Sequence, residues 1–257
     1  MLRTSIVMAT RNRDCIFRCI ESILKQTVRP YEIVVVDTSI TDKLKPRIEK
    51  VLKSSGIRFV YNHYTHNNLC ISRNKGIDKA TGDLFFFLDD DAVLDSRYIE
   101  EITEFLSSNK DAGGAEGFII NENNRRLAER LAHFPRIPER DALSRVWYLH
   151  GSNMTYRKEI CKKFRFDEDI PGFCIDDTEF GTRVSKEYKL YFVPTAIVEH
   201  NPAEKGGMRT VGMETKKDLY EHCMVRVRAY HYVFMKHLSL TEFVAYLFQN
   251  ITLVVIV

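Results

Sequence analysis

Phe85-Phe86-Phe87-Leu88-Asp89-Asp90-Asp91 decides the fold of this chain. Four large apolar residues predict a strand covered on both faces, and such strands belong to the middle of a parallel sheet. Three carboxylates follow at its C-terminal end, where open α/β sheets gather their ligands. Adjacent acids repel one another unless a cation neutralises them. Mg²⁺ and Mn²⁺ prefer oxygen donors, so the triplet points to a divalent metal carrying a phosphate. An acidic turn closing a strand is the plain alternative.

Upstream of that stretch, strand and helix signals alternate. Residues 4–9, Glu32–Asp37, 57–61 and 83–88 read as short apolar strands. Between them, Ile16, Ile20, Ile23 and Leu24 recur at helical spacing, as do Leu44, Ile48, Val51 and Leu52. A third helix runs over 71–80 and is closed by Gly82. This βαβαβαβ order predicts a parallel sheet. Downstream, 97–106 reads as a helix and Ala112–Ile120 as a strand. Residues 147–156 and 191–200 read as strands flanking a helix at 178–186. The polar, basic stretch 121–145 reads as a mobile loop of the kind that carries function.

The 257 residues are 44% hydrophobic and 28% charged, with a net charge of +3. That balance, without a basic aromatic stripe, argues against a nucleic-acid partner. Six cysteines form no CxxC pair and read as free thiols of a reducing compartment. Met1-Leu2-Arg3-Thr4 runs straight into a strand, so no signal peptide and a cytoplasmic location are expected. Residues 243–257 are strongly apolar but short of the roughly 20 that span a bilayer. Lys216, Lys217, Arg226, Arg228 and Lys236 precede them and suit anionic headgroups at the inner face of the cytoplasmic membrane. A helix packed on the core, and the start of a longer hydrophobic segment, are the other readings.

Further residues carry chemistry. The loop Thr10-Arg11-Asn12-Arg13 has no glycine, which removes the dinucleotide fingerprint and the P-loop. Asp37 ends the second strand on the same sheet edge as the acids; it either accepts from a ribose or base N–H or caps a turn. Arg73-Asn74-Lys75-Gly76 lies early in the third helix, a place suited to phosphate contact or to a plain surface arginine. Asp176 and Glu179 have the spacing of a helix-capping box, which leaves Asp177 without a structural job. A carboxylate there suits a general base, and Gly172-Phe173 ahead of it suits a closing loop. His200, ending an apolar strand, is open to metal ligation or capping.

In order and spacing these stretches resemble glycosyltransferase family 2, inverting nucleotide-sugar enzymes of the GT-A fold, from Thr4 to about Pro202. Residues 5–13 are similar to the family's first strand and nucleotide loop, which implies donor contacts for Thr10, Arg11 and Asn12. Residues 33–37 resemble its second strand, with Asp37 as the base-contacting acid. Arg73-Asn74-Lys75-Gly76, followed by Phe87-Leu88-Asp89-Asp90-Asp91, resembles the segment that ends in the DxD motif, here an unbroken triplet. Gly151-Ser152-Asn153 resembles the acceptor-side segment and brings in Asn153. Asp176-Asp177-x-Glu179 resembles the Glu-Asp motif whose second acid is the catalytic base; Asp176 stands where Glu is usual. Val198-x-His200 resembles the segment that closes the metal site.

The resemblance implies an α/β, GT-A fold with a mainly parallel central sheet flanked by helices. Residues 1–215 would form the catalytic domain, with a nucleotide-sugar half at 1–110 and an acceptor half at 111–215. Residues 216–257 would form a basic, apolar helical segment. Asp91 with His200 would hold Mg²⁺ or Mn²⁺, and Asp89 or Asp90, with Arg73, would orient the donor. Asp177 would deprotonate the acceptor hydroxyl, with Asp176 and Glu179 beside it. A UDP-sugar is the favoured donor, and the acceptor is a glycan or a lipid-linked glycan. The rivals are a polyprenyl-phosphate sugar synthase, a sugar nucleotidyltransferase and a non-catalytic nucleotide-sugar binder.

Overall fold

The structure, a computed structural model, describes residues 2–66, 68–120, 145–171, 175–200 and 216–237. The expected loop at 121–145 lies outside these but for its last residue, as do Gly172-Phe173 and the apolar stretch 243–257.

β1 (Thr4–Thr10) is flanked in parallel by β2 (Glu32–Asp37) and β4 (Leu84–Asp89), and β3 (Arg58–His63) lies parallel beyond β2. The helices between them are α1 (Ile16–Leu24), α2 (Leu44–Leu52) and α3 (Leu69–Lys79). The second half adds β5 (Ala92–Leu94), α4 (Tyr98–Ser108), β6 (Ala112–Ile120), β7 (Arg145–Val146), β8 (Thr155–Arg157), α5 (Lys158–Phe164), α6 (Asp176–Ser185), β9 (Lys189–His200) and α7 (Lys216–His237). One sheet results, in the order β3-β2-β1-β4-β8-β6-β9-β5, with β7 against β9. β8 runs antiparallel to both β4 and β6, and β5 antiparallel to β9, so the sheet is mixed beyond β4.

Strand alternation sorts the core into two layers. Ile6, Met8, Ile33, Val35, Phe86 and Leu88 face α1, α2 and α4. Val7, Val34, Phe85 and Phe87 face α3, α5, α6 and α7. A strand apolar at every position is what such double cover requires. α3 starts at Asn68, whose Oδ1 accepts from the Ile71 N–H at 3.1 Å, a side-chain N-cap.

Residues 147–156 do not form the expected strand. β7 ends just before this stretch, of which only the last two residues, Thr155 and Tyr156, are strand, as the start of β8; the chain turns between the two. Gly151, Ser152 and Asn153 are turn formers, and the Asn153 N–H bonds back to the His150 carbonyl at 3.0 Å.

Candidate active site

β1, β2 and β4 end level with one another, Thr10 opposite Asp37 and Ala9 opposite Asp89, so their terminal polar residues share one sheet edge. β5 then turns back from the acid triplet and pairs with β9, placing Ala92 opposite His200. This antiparallel pairing carries His200 to the acids.

The three aspartates face different ways. Asp90 is buried, accepting from Thr10 Oγ1 at 2.7 Å and ion-paired to Arg13 at 2.7 Å. Arg13 reaches Asp91 Oδ2 with its other terminal nitrogen, also at 2.7 Å. Asp91 Oδ1 lies 3.1 Å from His200 Nε2, and Asp89 Oδ2 lies 3.8 Å from the same nitrogen. Asp89, Asp91 and His200 each offer a ligand atom within 4.8 Å of the others. Two carboxylates and an imidazole form a donor set that fits Mg²⁺ or Mn²⁺. Burial pushes the Asp89 carboxyl above its ordinary range; Arg73 opposes this and Asp91 reinforces it.

Asp37 is fully buried and does cap a turn, accepting from the Ser39 N–H at 2.8 Å and from the hydroxyls of Ser39 and Tyr61. Asn12 sits at φ 51°, a left-handed conformation that asparagine tolerates, and its N–H donates to Ser39 Oγ at 2.8 Å. Arg11 and Asn12 are exposed beside this edge.

Arg73, on α3, is buried rather than on the surface. Its guanidinium pairs with Asp176, donates to the Gly151 carbonyl at 3.0 Å and lies 3.7 Å from Asp89 Oδ1. The Gly151 N–H donates to Asp177 Oδ2 at 2.8 Å, and the Thr178 N–H to Asp177 Oδ1 at 2.7 Å. Arg73 and Gly151 together therefore join Asp89, Asp176 and Asp177 in one network.

The capping box expected of Asp176 and Glu179 does not form. α6 has Ile175 at its N-cap, with φ 63° and no side-chain cap bond. Asp176 turns instead to Arg73, and Glu179 pairs with Arg183. Each of these two buried carboxylates is paired with a guanidinium, which offsets the cost of burying its charge. Asn153 is buried behind the turn; its Nδ2 donates to the Gly117 carbonyl at 3.3 Å, while Oδ1 has no partner among the described residues. Sequence reading passed over Glu116, which accepts from the His150 N–H at 2.6 Å, and gave Arg13 no role. A charge inside the otherwise small and apolar β6 was the available signal for Glu116.

The sequence model of glycosyl transferase family 2 matches residues 5–165, more than half of the chain, and the chain belongs to that family. It is 24% identical over 212 residues to the glucosyl-dolichyl phosphate glucuronosyltransferase of Haloferax volcanii, covering 76% of this chain and 63% of that one. It is 25% identical over 224 residues to the glycosyltransferase YwdF of Bacillus subtilis, covering 85% and 81%. Among solved structures, GalNAc-T7 with UDP, GalNAc and Mn²⁺ superposes with a TM-score of 0.65 at 16% identity, over 88% of this chain and 48% of that one. The mannosyltransferase PcManGT of Pyrobaculum calidifontis, with GDP-Man and Mn²⁺, gives 0.64 at 19%, over 88% and 64%. The fold is that of the GT-A glycosyltransferases. This chain thus spans less than two thirds of the archaeal glucuronosyltransferase and of both structures.

Proposed function

We propose that the protein transfers a sugar from a nucleoside-diphosphate sugar, a UDP-sugar by preference, to an acceptor hydroxyl with inversion at the anomeric carbon. One observation carries the reading: Arg73 and Gly151 join the metal-capable group to Asp177 across a single sheet edge. In this reading residues 1–110 hold the donor, 111–215 the acceptor, and 216–257 form a further segment. Thr10, Arg11, Asn12 and Asp37 shape the nucleotide end, Thr10 and Asp37 by fixing the loops rather than by open side chains.

Asp89, Asp91 and His200 would hold Mg²⁺ or Mn²⁺, which when bound supplies positive charge for the departing diphosphate. Arg73 orients Asp89 and holds Asp176. Asp177 is half-buried and anchored through both carboxylate oxygens by backbone N–H groups. It accepts the acceptor hydroxyl's proton as that oxygen attacks the face opposite the leaving group. The acceptor is a glycan or a lipid-linked glycan. Exposed Tyr220, Val227 and Met235 on α7, beside exposed Arg226 and Arg228, support a peripheral contact with an anionic membrane surface.

The test is a thermal-shift panel of UDP-, GDP-, dTDP- and CMP-sugars with and without Mn²⁺. A donor at about 100 times its Kd adds roughly 2.7 kcal/mol. The expected outcome is one nucleotide class that stabilises wild type only with metal and leaves Asp91→Ala unmoved. Asp177→Asn keeps the donor shift but loses roughly 10²–10⁴ in kcat. Release of pyrophosphate in place of nucleoside diphosphate would make the protein a nucleotidyltransferase.

A further inference from the structure

The turn between β7 and β8 presents two consecutive amides to two different elements. The His150 N–H donates to Glu116 Oε2 on β6 at 2.6 Å, and the Gly151 N–H donates to Asp177 Oδ2 on α6 at 2.8 Å. One dipeptide thus holds two carboxylates side by side. The turn is itself pinned: the Phe87 N–H donates to the Met154 carbonyl at 2.8 Å, and Tyr98 Oη to the Asn153 carbonyl at 2.9 Å. It also packs without slack, because a Cβ on Gly151 would lie 2.9 Å from Arg73 Nη2 and 3.2 Å from Asp177 Oδ2. A shift at His150 is therefore transmitted to Asp177.

We infer that Glu116 is a positioning residue for Asp177, acting through the paired amides of His150 and Gly151. The inference rests on the reading of Asp177 as the base. Among the described residues, apart from the His150 amide, the groups that sense Glu116 are Asp177 from α6, Tyr98 from α4, Tyr148 from the turn and Tyr156 from β8, none of them an arginine or lysine. Burial pushes the Glu116 carboxyl up to about 7; the amide bond opposes this and the neighbouring Asp177 adds to it. Glu116 thus gains its charge near neutrality, beside the carboxylate that receives the acceptor's proton. A negative charge there favours a proton's arrival.

The variants that separate these effects are Glu116→Gln, which still accepts from the His150 amide but never ionises, and Glu116→Ala, which leaves that amide unpaired. Turnover is followed as nucleotide released from the four-nucleotide sugar panel with Mn²⁺, water serving as acceptor. Glu116→Ala is expected to lower kcat by roughly 10²-fold with donor KM unchanged, the scale of a misplaced reacting group. Wild type is expected to rise in kcat as pH passes about 7, and Glu116→Gln to keep kcat at acid pH and lack that rise.

A readout independent of turnover is the pH dependence of Tm. A carboxyl raised in the folded state makes the protein lose stability as pH climbs from the ordinary 4.5 towards about 7. Glu116→Gln therefore gains on wild type over that window, and the gain shrinks when Asp177 is also replaced by asparagine. Equal gains in both backgrounds, or equal kcat losses in both Glu116 variants with an unchanged pH profile, would overturn the inference. Turnover surviving in Asp177→Asn would instead remove the base reading on which it rests.

Discussion

Arg73 is where the acid triplet and the start of α6 meet. Its side chain is 6% exposed and faces Asp176, itself 7% exposed, so neither charge has water to fall back on. Losing one partner of such a pair leaves the other buried and unpaired, which costs about 3–5 kcal/mol. Arg73→Met is expected to lower stability on that scale in urea unfolding. Arg73→Lys recovers only part of it, since an ammonium cannot serve Asp176 and the Gly151 carbonyl with the same planar fork. The double variant Arg73→Met with Asp176→Asn is expected to lose less than the sum of the single losses, because the unpaired charge is gone. Strict additivity would show that the two do not depend on each other. At this scale part was legible beforehand: Asp91 and His200, paired in the sequence reading, lie 3.1 Å apart, whereas Asp177, read there as having no structural job, is held by the backbone N–H groups of Gly151 and Thr178. The role of Asp176 was hidden because its partner is 103 positions away, and spacing within one helix turn cannot report such a contact.

Between elements, α3 packs against β1 at a distance that only a glycine allows. A Cβ on Gly76 would lie 2.3 Å from Val7 Cγ1. This approach keeps Arg73, one turn earlier, in reach of the ends of β4 and α6. Gly76→Ala is expected to destabilise by about 1–3 kcal/mol through overpacking. Adding Val7→Ala is expected to restore part of that loss, and urea midpoints of the two variants check it. The four parallel strands were readable as short apolar runs, and α1 and α2 by apolar residues at helical spacing. The second half was less so. β5 has three residues and β8 three, and both are held by partners distant in sequence, so neither shows a period. Ile175 was equally unreadable, since a β-branched residue at φ 63° runs against its own preference and is held there by the packing around it.

For the molecule as a whole, α7 shows two unlike faces. Ala229 and Val233 are buried in the core layer below the sheet, and Tyr232 Oη and Lys236 Nζ both donate to Asp167, at 2.9 and 2.7 Å. Tyr220, Val227 and Met235, spaced seven and eight residues apart, stand exposed on the other side, Met235 at 69%. Among the described residues no helix is long and apolar enough to cross a membrane. Apolar and aromatic side chains beside Arg226 and Arg228 suit a membrane surface, where each basic residue contributes about 1 kcal/mol near anionic lipid. Val227→Asp with Met235→Asp is expected to weaken co-sedimentation with phosphatidylglycerol vesicles while leaving unfolding unchanged, because neither side chain packs on the core. Wild type is expected to release from those vesicles as salt rises, the attraction being screened over roughly 8–10 Å. The only tryptophan, Trp147, is 67% exposed, and its neighbour Tyr148 senses Tyr230 of α7. A blue shift of its emission on adding vesicles would place the turn between β7 and β8 at the lipid surface together with α7. Binding equal for neutral and anionic vesicles, or untouched by the paired aspartates, would mean that this face of α7 is not what meets the membrane.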